Sequence, residues 1–251
     1  MQNPRIQLVR TLLSQVSAIR SENAFAAEGV RLVEEGIHEH YPLQFILYSD
    51  QISSRGENLV AGLPPSVESY PVTSELFQKI SGTDTSQGIL AVFSLKTLSL
   101  PVQRDFLVIA DGIRDPGNLG TLIRTAEAAG AQGILLSPGT TQAFAPKVVR
   151  SGMGAHFRLP ILACSWQEIT AHCQGLTIFC AEMSANMSYY NADFRQPLAI
   201  VIGSEAQGIS AKVHQLATLP VSIPMPGRSE SLNAAMAGVI LVFEVVRQRN
   251  S

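Results

Sequence analysis

The sequence predicts an α/β protein: a larger C-terminal domain with a parallel sheet, preceded by a small N-terminal α/β domain. Three observations predict it. From Phe106 onward, short apolar runs alternate with helical stretches, the pattern of a parallel sheet covered on both faces. Glycine-rich loops follow three of those runs, beginning at Asp111, Ile202 and Ile223. The stretch Ser94–Arg104 carries neither periodicity and divides the chain. The expected boundaries are therefore 1–94, a linker at 95–105, and 106–251.

Within the first domain, Ile6, Val9, Leu12, Leu13 and Val16 make a helical stripe, and Gly29–Gly36 reads as a second helix. Leu43–Tyr48 reads as a strand, residues 58–70 are weakly patterned, Val72–Ile80 reads as a short helix and Gly88–Phe93 as a buried strand. In the second domain strands are expected at Phe106–Ala110, Gly133–Leu136, Arg158–Ile161, Leu176–Ala181, Leu198–Ile202 and Val221–Pro224. Helices are expected from about Asn118 to Ala129 and near Pro146–Met153. Ser165 and Glu168 form a capping box that opens another, since each can satisfy a free backbone N–H. Leu232–Arg247 is a long apolar helix, and no internal repeat is visible.

Composition narrows the function classes. A chain of 251 residues, 46% hydrophobic, can bury a full core, yet no apolar run approaches the ~20 residues of a membrane helix. Arg5 and Arg10 interrupt the N-terminal segment, unlike a secretory signal. Cys164, Cys173 and Cys180 form an odd set without C-x-x-C spacing, which argues against disulfides or zinc and fits a reducing cytoplasm. His38 and His40 read as a solvated pair at a strand end or loop, so no metal is expected. Residues 1–100 hold 7 Lys/Arg against 10 Asp/Glu, and residues 101–251 hold 11 against 10. Any affinity for nucleic acid must come from local arginines, not from a bulk basic field.

Ligands of open α/β sheets sit beyond the carboxyl ends of the strands, so the three loops are the candidate site. In the first, Asp111-Gly-Ile-Arg-Asp-Pro-Gly-Asn-Leu-Gly-Thr-Leu-Ile-Arg124, Pro116 and Gly117 make a turn and Asn118 can cap the helix. Leu119, Leu122, Ile123 and Ala126 form the buried stripe, with Gly120, Thr121, Arg124 and Glu127 on the other side; an Arg124–Glu127 surface pair is the bland alternative. In the second, Ile202-Gly-Ser-Glu-Ala-Gln-Gly-Ile-Ser210, Gly203 and Gly208 permit close approach of a ligand around Ser204 and Glu205. A helix start capped by Ser204 explains the same residues. In the third, Ile223-Pro-Met-Pro-Gly-Arg-Ser-Glu-Ser-Leu-Asn233, an irregular loop runs through Met225 until Ser231 opens the last helix. That helix stays apolar through Val239–Phe243, so it needs burial on most sides, which an intersubunit contact would supply.

Together the loops resemble the SpoU/TrmH group of RNA ribose methyltransferases in the SPOUT superfamily. Asn118, Gly120 and Arg124 resemble its first motif, Gly203, Glu205 and Gly208 its second, and Ile223-Pro-Met225 through Ser231-Leu232-Asn233 its third. The likeness runs from about Phe106 to the C-terminus; Thr121 departs from the alanine many members carry. Ala24–Glu35 and Thr85–Ala91 are similar to the small substrate-binding domain that precedes the catalytic domain in many members, itself like ribosomal-protein modules that hold folded RNA. The resemblance implies a deep trefoil knot, which base rates alone would oppose. It also implies S-adenosyl-L-methionine as cofactor, held mostly by backbone near Gly203, Ser204, Ile223, Met225 and Leu232, and a homodimer whose subunits complete each site. Structured RNA is the implied substrate. Ribosomal RNA is favoured over transfer RNA because an extra N-terminal domain, not a basic tail, provides recognition.

The implied reaction is in-line attack of a ribose 2′-hydroxyl on a sulfonium methyl. The resemblance assigns Arg124 to activating that hydroxyl; a guanidinium is a poor base, so a phosphate clamp that also polarises the hydroxyl suits it better. Asn118, Ser231 and Asn233 would then position it and the ribose, with Glu205 bracing the loops, and the base stays open. Two rivals differ in class. A nucleotide-dependent oxidoreductase would need G-x-G-x-x-G after the first strand and an acid after Gly133–Ser137, and both are missing. A catalytically silent RNA-binding scaffold would be expected to lose Asn118, Arg124 or Ser231, and all are present.

Overall fold

Local caps decide where the helices of the N-terminal region begin. Asn3 accepts from the Arg5 N–H ahead of α1 (Pro4–Ser14), Ser53 from Gly56 ahead of α4 (Ser54–Ala61), and Thr73 from Leu76 ahead of α5 (Ser74–Ile80). Between them lie α2 (Ala18–Ser21), β1 (Ala24–Glu28), α3 (Val30–His38), β2 (Leu43–Ser49) and β3 (Glu68–Val72), and β4 (Ile89–Ser94) follows. The computed structural model describes residues 3–81, 86–216, 218–228 and 231–250; Met1, Thr85, Ser229 and Glu230, which belong to segments read above, lie outside the described residues.

The four strands form a mixed sheet in the order β1-β4-β2-β3, with β4 antiparallel to both neighbours and β2 parallel to β3. Helix α4 and strand β3 were not expected from the weak pattern at 58–70. The physical reason is plain: α4 buries only Gly56, and β3 is an edge strand that contains Pro71, which the edge tolerates. Val72 ends β3 instead of opening the next helix, whose N-cap is Thr73. His38 ends α3, and both it and His40 are exposed.

The chain clusters into two compact units, 1–96 with 144–157, and 97–143 with 158–251. Residues 144–157, read from sequence as part of the second domain, thus group with the first. The segment contains α7 (Pro146–Gly152) and a 3₁₀ turn (Ala155–Phe157). Phe144 and Phe157 join an aromatic core, their rings 4.9 Å and 6.1 Å from that of Phe25, with Phe157 5.1 Å from both Tyr41 and Phe93.

In the second unit six strands run parallel in the order β10-β8-β9-β5-β6-β7. They are β5 (Phe106–Asp111), β6 (Ile134–Leu136), β7 (Ile161–Ala163), β8 (Thr177–Ala181), β9 (Leu198–Gly203) and β10 (Leu219–Val221). Two differ from expectation by more than one residue. The strand read at Arg158–Ile161 begins only at Ile161, because Pro160 has no N–H to give the ladder, while its carbonyl accepts from Ile134 at 2.9 Å. The strand read at Val221–Pro224 ends at Val221, where the Ser222 N–H turns away to Met187 O at 2.8 Å.

One face of this sheet packs Leu107, Ile109, Ala199 and Val201 against Ile169 of α8 (Trp166–His172) and Val213 of α9 (Ala211–His214). All three cysteines are free and buried on that face, and burial pushes the Cys164 and Cys173 thiols up to about 11. The capping box holds as read: Ser165 Oγ accepts from the Glu168 N–H and Glu168 from the Ser165 N–H at 2.7 Å. On the opposite face α6 (Pro116–Ala128) and α10 (Ala234–Arg249) pack together and α10 lies on β9. Among the described residues no helix is long and apolar enough to cross a membrane.

Candidate active site

The site grows from the carboxyl ends of β5, β8, β9 and β10. Strand β5 is buried throughout and ends in a carboxylate, Asp111, itself 3% exposed. Its oxygens accept from the Ser210 N–H at 2.7 Å and the Ser137 hydroxyl at 3.1 Å. Asp111 therefore ties the loop after β9 to the turn after β6 through charge-assisted bonds. The reading from sequence missed this role. The available signal was an acid closing an otherwise apolar strand.

Helix α6 begins two residues earlier than expected. Asp115, not Asn118, is its N-cap and accepts from the Asn118 N–H at 2.8 Å, with Pro116 at the first helical position. This correction frees the Asn118 side chain for other work. Its Nδ2 donates to Glu205 Oε1 at 2.5 Å, and its Oδ1 accepts from Asn233 Nδ2 at 2.9 Å. One amide thus joins the first loop to the second and the third, with donor and acceptor ends both used.

The second loop is a tight turn rather than a helix start. Ser204 and Gly208 exchange backbone hydrogen bonds at 3.0 and 2.9 Å, and Ser204 Oγ accepts from the Gln207 N–H at 3.2 Å. The next helix starts only at Ala211, so Ser204 caps no helix. In the third loop the N-cap of α10 is Asn233, whose Oδ1 accepts from the Met236 N–H at 3.2 Å, so Ser231 and Leu232 stay in the loop. Asn233 thus caps with its oxygen and reaches Asn118 with its nitrogen.

Between these loops lies a cavity of about 400 Å³, the size that buries a nucleoside-scale ligand. All five residues expected to hold the cofactor line it: Gly203, Ser204, Ile223, Met225 and Leu232. Glu205 and Ser231 line it too, whereas Asn118 and Asn233 stand behind Glu205 in the hydrogen-bonded chain. Among the described residues no Lys or Arg contributes to its wall, while Glu182 and Glu205 do. Such a wall suits a cationic ligand and does not suit a pyrophosphate.

Arg124 is placed apart from that hydrogen-bonded chain. It is exposed on α6, and among the described residues it makes no hydrogen bond or ion pair; Gly120, read beside it on the outer face, is buried. The surface pair with Glu127 does not form, because Glu127 is engaged by Arg158 Nε at 2.7 Å. Among the described residues no group of three or more His, Cys, Asp or Glu side chains is placed to hold a metal.

Comparison with known proteins decides the family. Residues 105–243 match the SpoU rRNA Methylase family, and residues 3–91 match the MRM3-like substrate binding domain. The chain belongs to the SpoU rRNA methylase family. It is 32% identical over 227 residues to the 23S rRNA (guanosine(2553)-2'-O)-methyltransferase RlmP of Bacillus subtilis, covering 89% of this chain and 88% of the relative. It is 30% identical to the 23S rRNA (uridine(2479)-2'-O)-methyltransferase of Streptomyces viridochromogenes, over 99% and 91% of the two chains. Among solved structures it resembles the SpoU methyltransferase AviRb from Streptomyces viridochromogenes in complex with AdoMet, with a TM-score of 0.91 and 28% identity, over 100% and 99% of the chains.

Proposed function

We propose that this SpoU family protein transfers a methyl group from S-adenosylmethionine to a ribose 2′-hydroxyl of ribosomal RNA. The observation that carries the reading is the bond chain Glu205–Asn118–Asn233, which ties all three loops at one wall of the cavity. The acidic, otherwise largely aliphatic lining fits a nucleoside that bears a sulfonium and an ammonium. Relatives named for 23S rRNA 2′-O-methylation support the choice of RNA. The first unit, which matches a substrate-binding domain, is the part we assign to holding the RNA.

When bound, S-adenosylmethionine supplies an electrophilic methyl group. The chain's own part is placement. Arg124, unengaged among the described residues, clamps an RNA phosphate and polarises the neighbouring hydroxyl. Ser231 and Asn233 position the ribose, Asn118 fixes Asn233, and Glu205 braces the turn over the cavity.

Calorimetry of the folded protein with S-adenosylmethionine in chelator tests the cofactor, and heat of binding is expected. Mapping of ribose methylation across total RNA, with and without the gene, tests the substrate; one ribosomal position should lose its mark. Absence of binding, or a loss confined to transfer RNA, would refute the corresponding half.

The family resemblance also supports a trefoil knot at the C-terminal segment, a homodimer and a cytoplasmic setting, the last in keeping with three free thiols. For the dimer there is a surface to name. Met236 and Phe243 on α10 are 50% and 44% exposed, and half-buried Val239 and Ile240 lie between them, an unpartnered apolar stripe at helical spacing. Light scattering should return twice the chain mass, and Met236→Glu with Phe243→Glu should halve it. A monomeric parent protein would remove the shared site.

A further inference from the structure

Glu182 is the cavity's second carboxylate, and no motif of the family likeness includes it. It is the first residue past β8, and its N–H donates to Val221 O at 3.0 Å. Because Cys180 pairs with Val201 across β8 and β9, Glu182 stands level with Gly203 on the neighbouring strand. Its side chain lines the cavity and is 25% exposed, and Oε1 lies 3.1 Å from Nε2 of His214 in α9. The lining beside it mixes apolar Ala181, Met183, Ile202 and Ile209 with polar Ser184 and Gln207. A carboxylate in such a place is costly unless donors reach it. The His214 ring nitrogen is a close neighbour but makes no hydrogen bond to it among the described residues, and a carboxylate has about four acceptor positions.

We propose that Glu182 binds the cofactor by accepting hydrogen bonds from the two vicinal hydroxyls of its ribose. The inference rests on the S-adenosylmethionine reading above. Two adjacent O–H donors match two carboxylate oxygens. An acid near the carboxyl end of a strand beside a glycine loop is how parallel α/β sheets commonly read a ribose. Glu205, the other carboxylate of the cavity, is exposed and bonded to Asn118 of the first loop, whereas Glu182 is set into the wall with its side chain 25% exposed.

The test is calorimetry on the full-length protein with S-adenosylhomocysteine and its 2′,3′-dideoxyribose analogue. The parent protein should prefer the diol by about 10- to 100-fold. Glu182→Gln, which keeps the shape of the side chain, and Glu182→Ala should each weaken the diol ligand toward the analogue, so that the preference collapses. A variant that binds the diol as tightly as the parent overturns the inference, as does one that loses both ligands equally and keeps the preference. A parent protein that binds neither ligand overturns the cofactor reading, and this inference with it.

Discussion

Arg124→Ala is expected to lower methyl transfer by at least about 100-fold, the scale of removing one preorganised donor from a transition state, while cofactor affinity and the melting temperature stay near the parent's. The expectation of an intact fold comes from placement. Arg124 is exposed on α6, opposite the packed Leu119, Leu122, Ile123 and Ala126, so its truncation opens no cavity. Among the described residues it breaks no ion pair either, since Glu127 is held by Arg158. A loss of activity therefore has no structural explanation and must be read as loss of contact with the RNA. Arg124→Lys keeps the charge but not the planar fork, so it should recover little if the contact is a bidentate phosphate clamp. Single-turnover rates on the ribosomal substrate, beside calorimetry with the cofactor, make the comparison. Transfer by Arg124→Ala at the parent rate would leave Arg124 a bystander, and the family assignment would survive without this mechanism.

Most strands of the second unit and the three loops were legible in the sequence because they rest on local signals: apolar runs of Phe106–Ala110 and Leu198–Ile202, punctuated by glycine and proline. What was not legible was which polar residue in each loop faces inward. Asp115, Asn118, Ser231 and Asn233 are all competent caps, and local pattern cannot choose among them. Asn118, left uncommitted by the Asp115 cap, bonds to partners 87 and 115 residues away, and those bonds exist only once β5 and β9 are paired and α10 packs on β9 and α6. The same limit explains Phe144 and Phe157. Their aromatic partner Phe25 lies far off in sequence, so no windowed periodicity could group the segment with the first unit. Asp111 and Glu182 were legible in principle, each an acid just at or past the end of a buried strand.

Replacing Gly203 should abolish cofactor binding. A Cβ at Gly203 meets the chain itself, 2.3 Å from the carbonyl carbon and oxygen of Gly208 and 2.6 Å from the Ile209 nitrogen. These are backbone atoms held by the Ser204–Gly208 exchange of hydrogen bonds, so they cannot step aside without opening the turn. Gly203→Ala must therefore displace the segment that carries Ser204 and Glu205, and with Glu205 goes its bond to Asn118. Overpacking of about 1–3 kcal/mol should lower the melting temperature by roughly 3–10 °C, with no measurable heat on titration with S-adenosylmethionine. Gly227→Ala in the third loop is the control: a Cβ there has nothing within 4 Å, and it should melt and bind as the parent does. If Gly203→Ala bound the cofactor normally, the turn after β9 would not be what shapes the cavity, and the binding surface would have to be sought on the third loop alone.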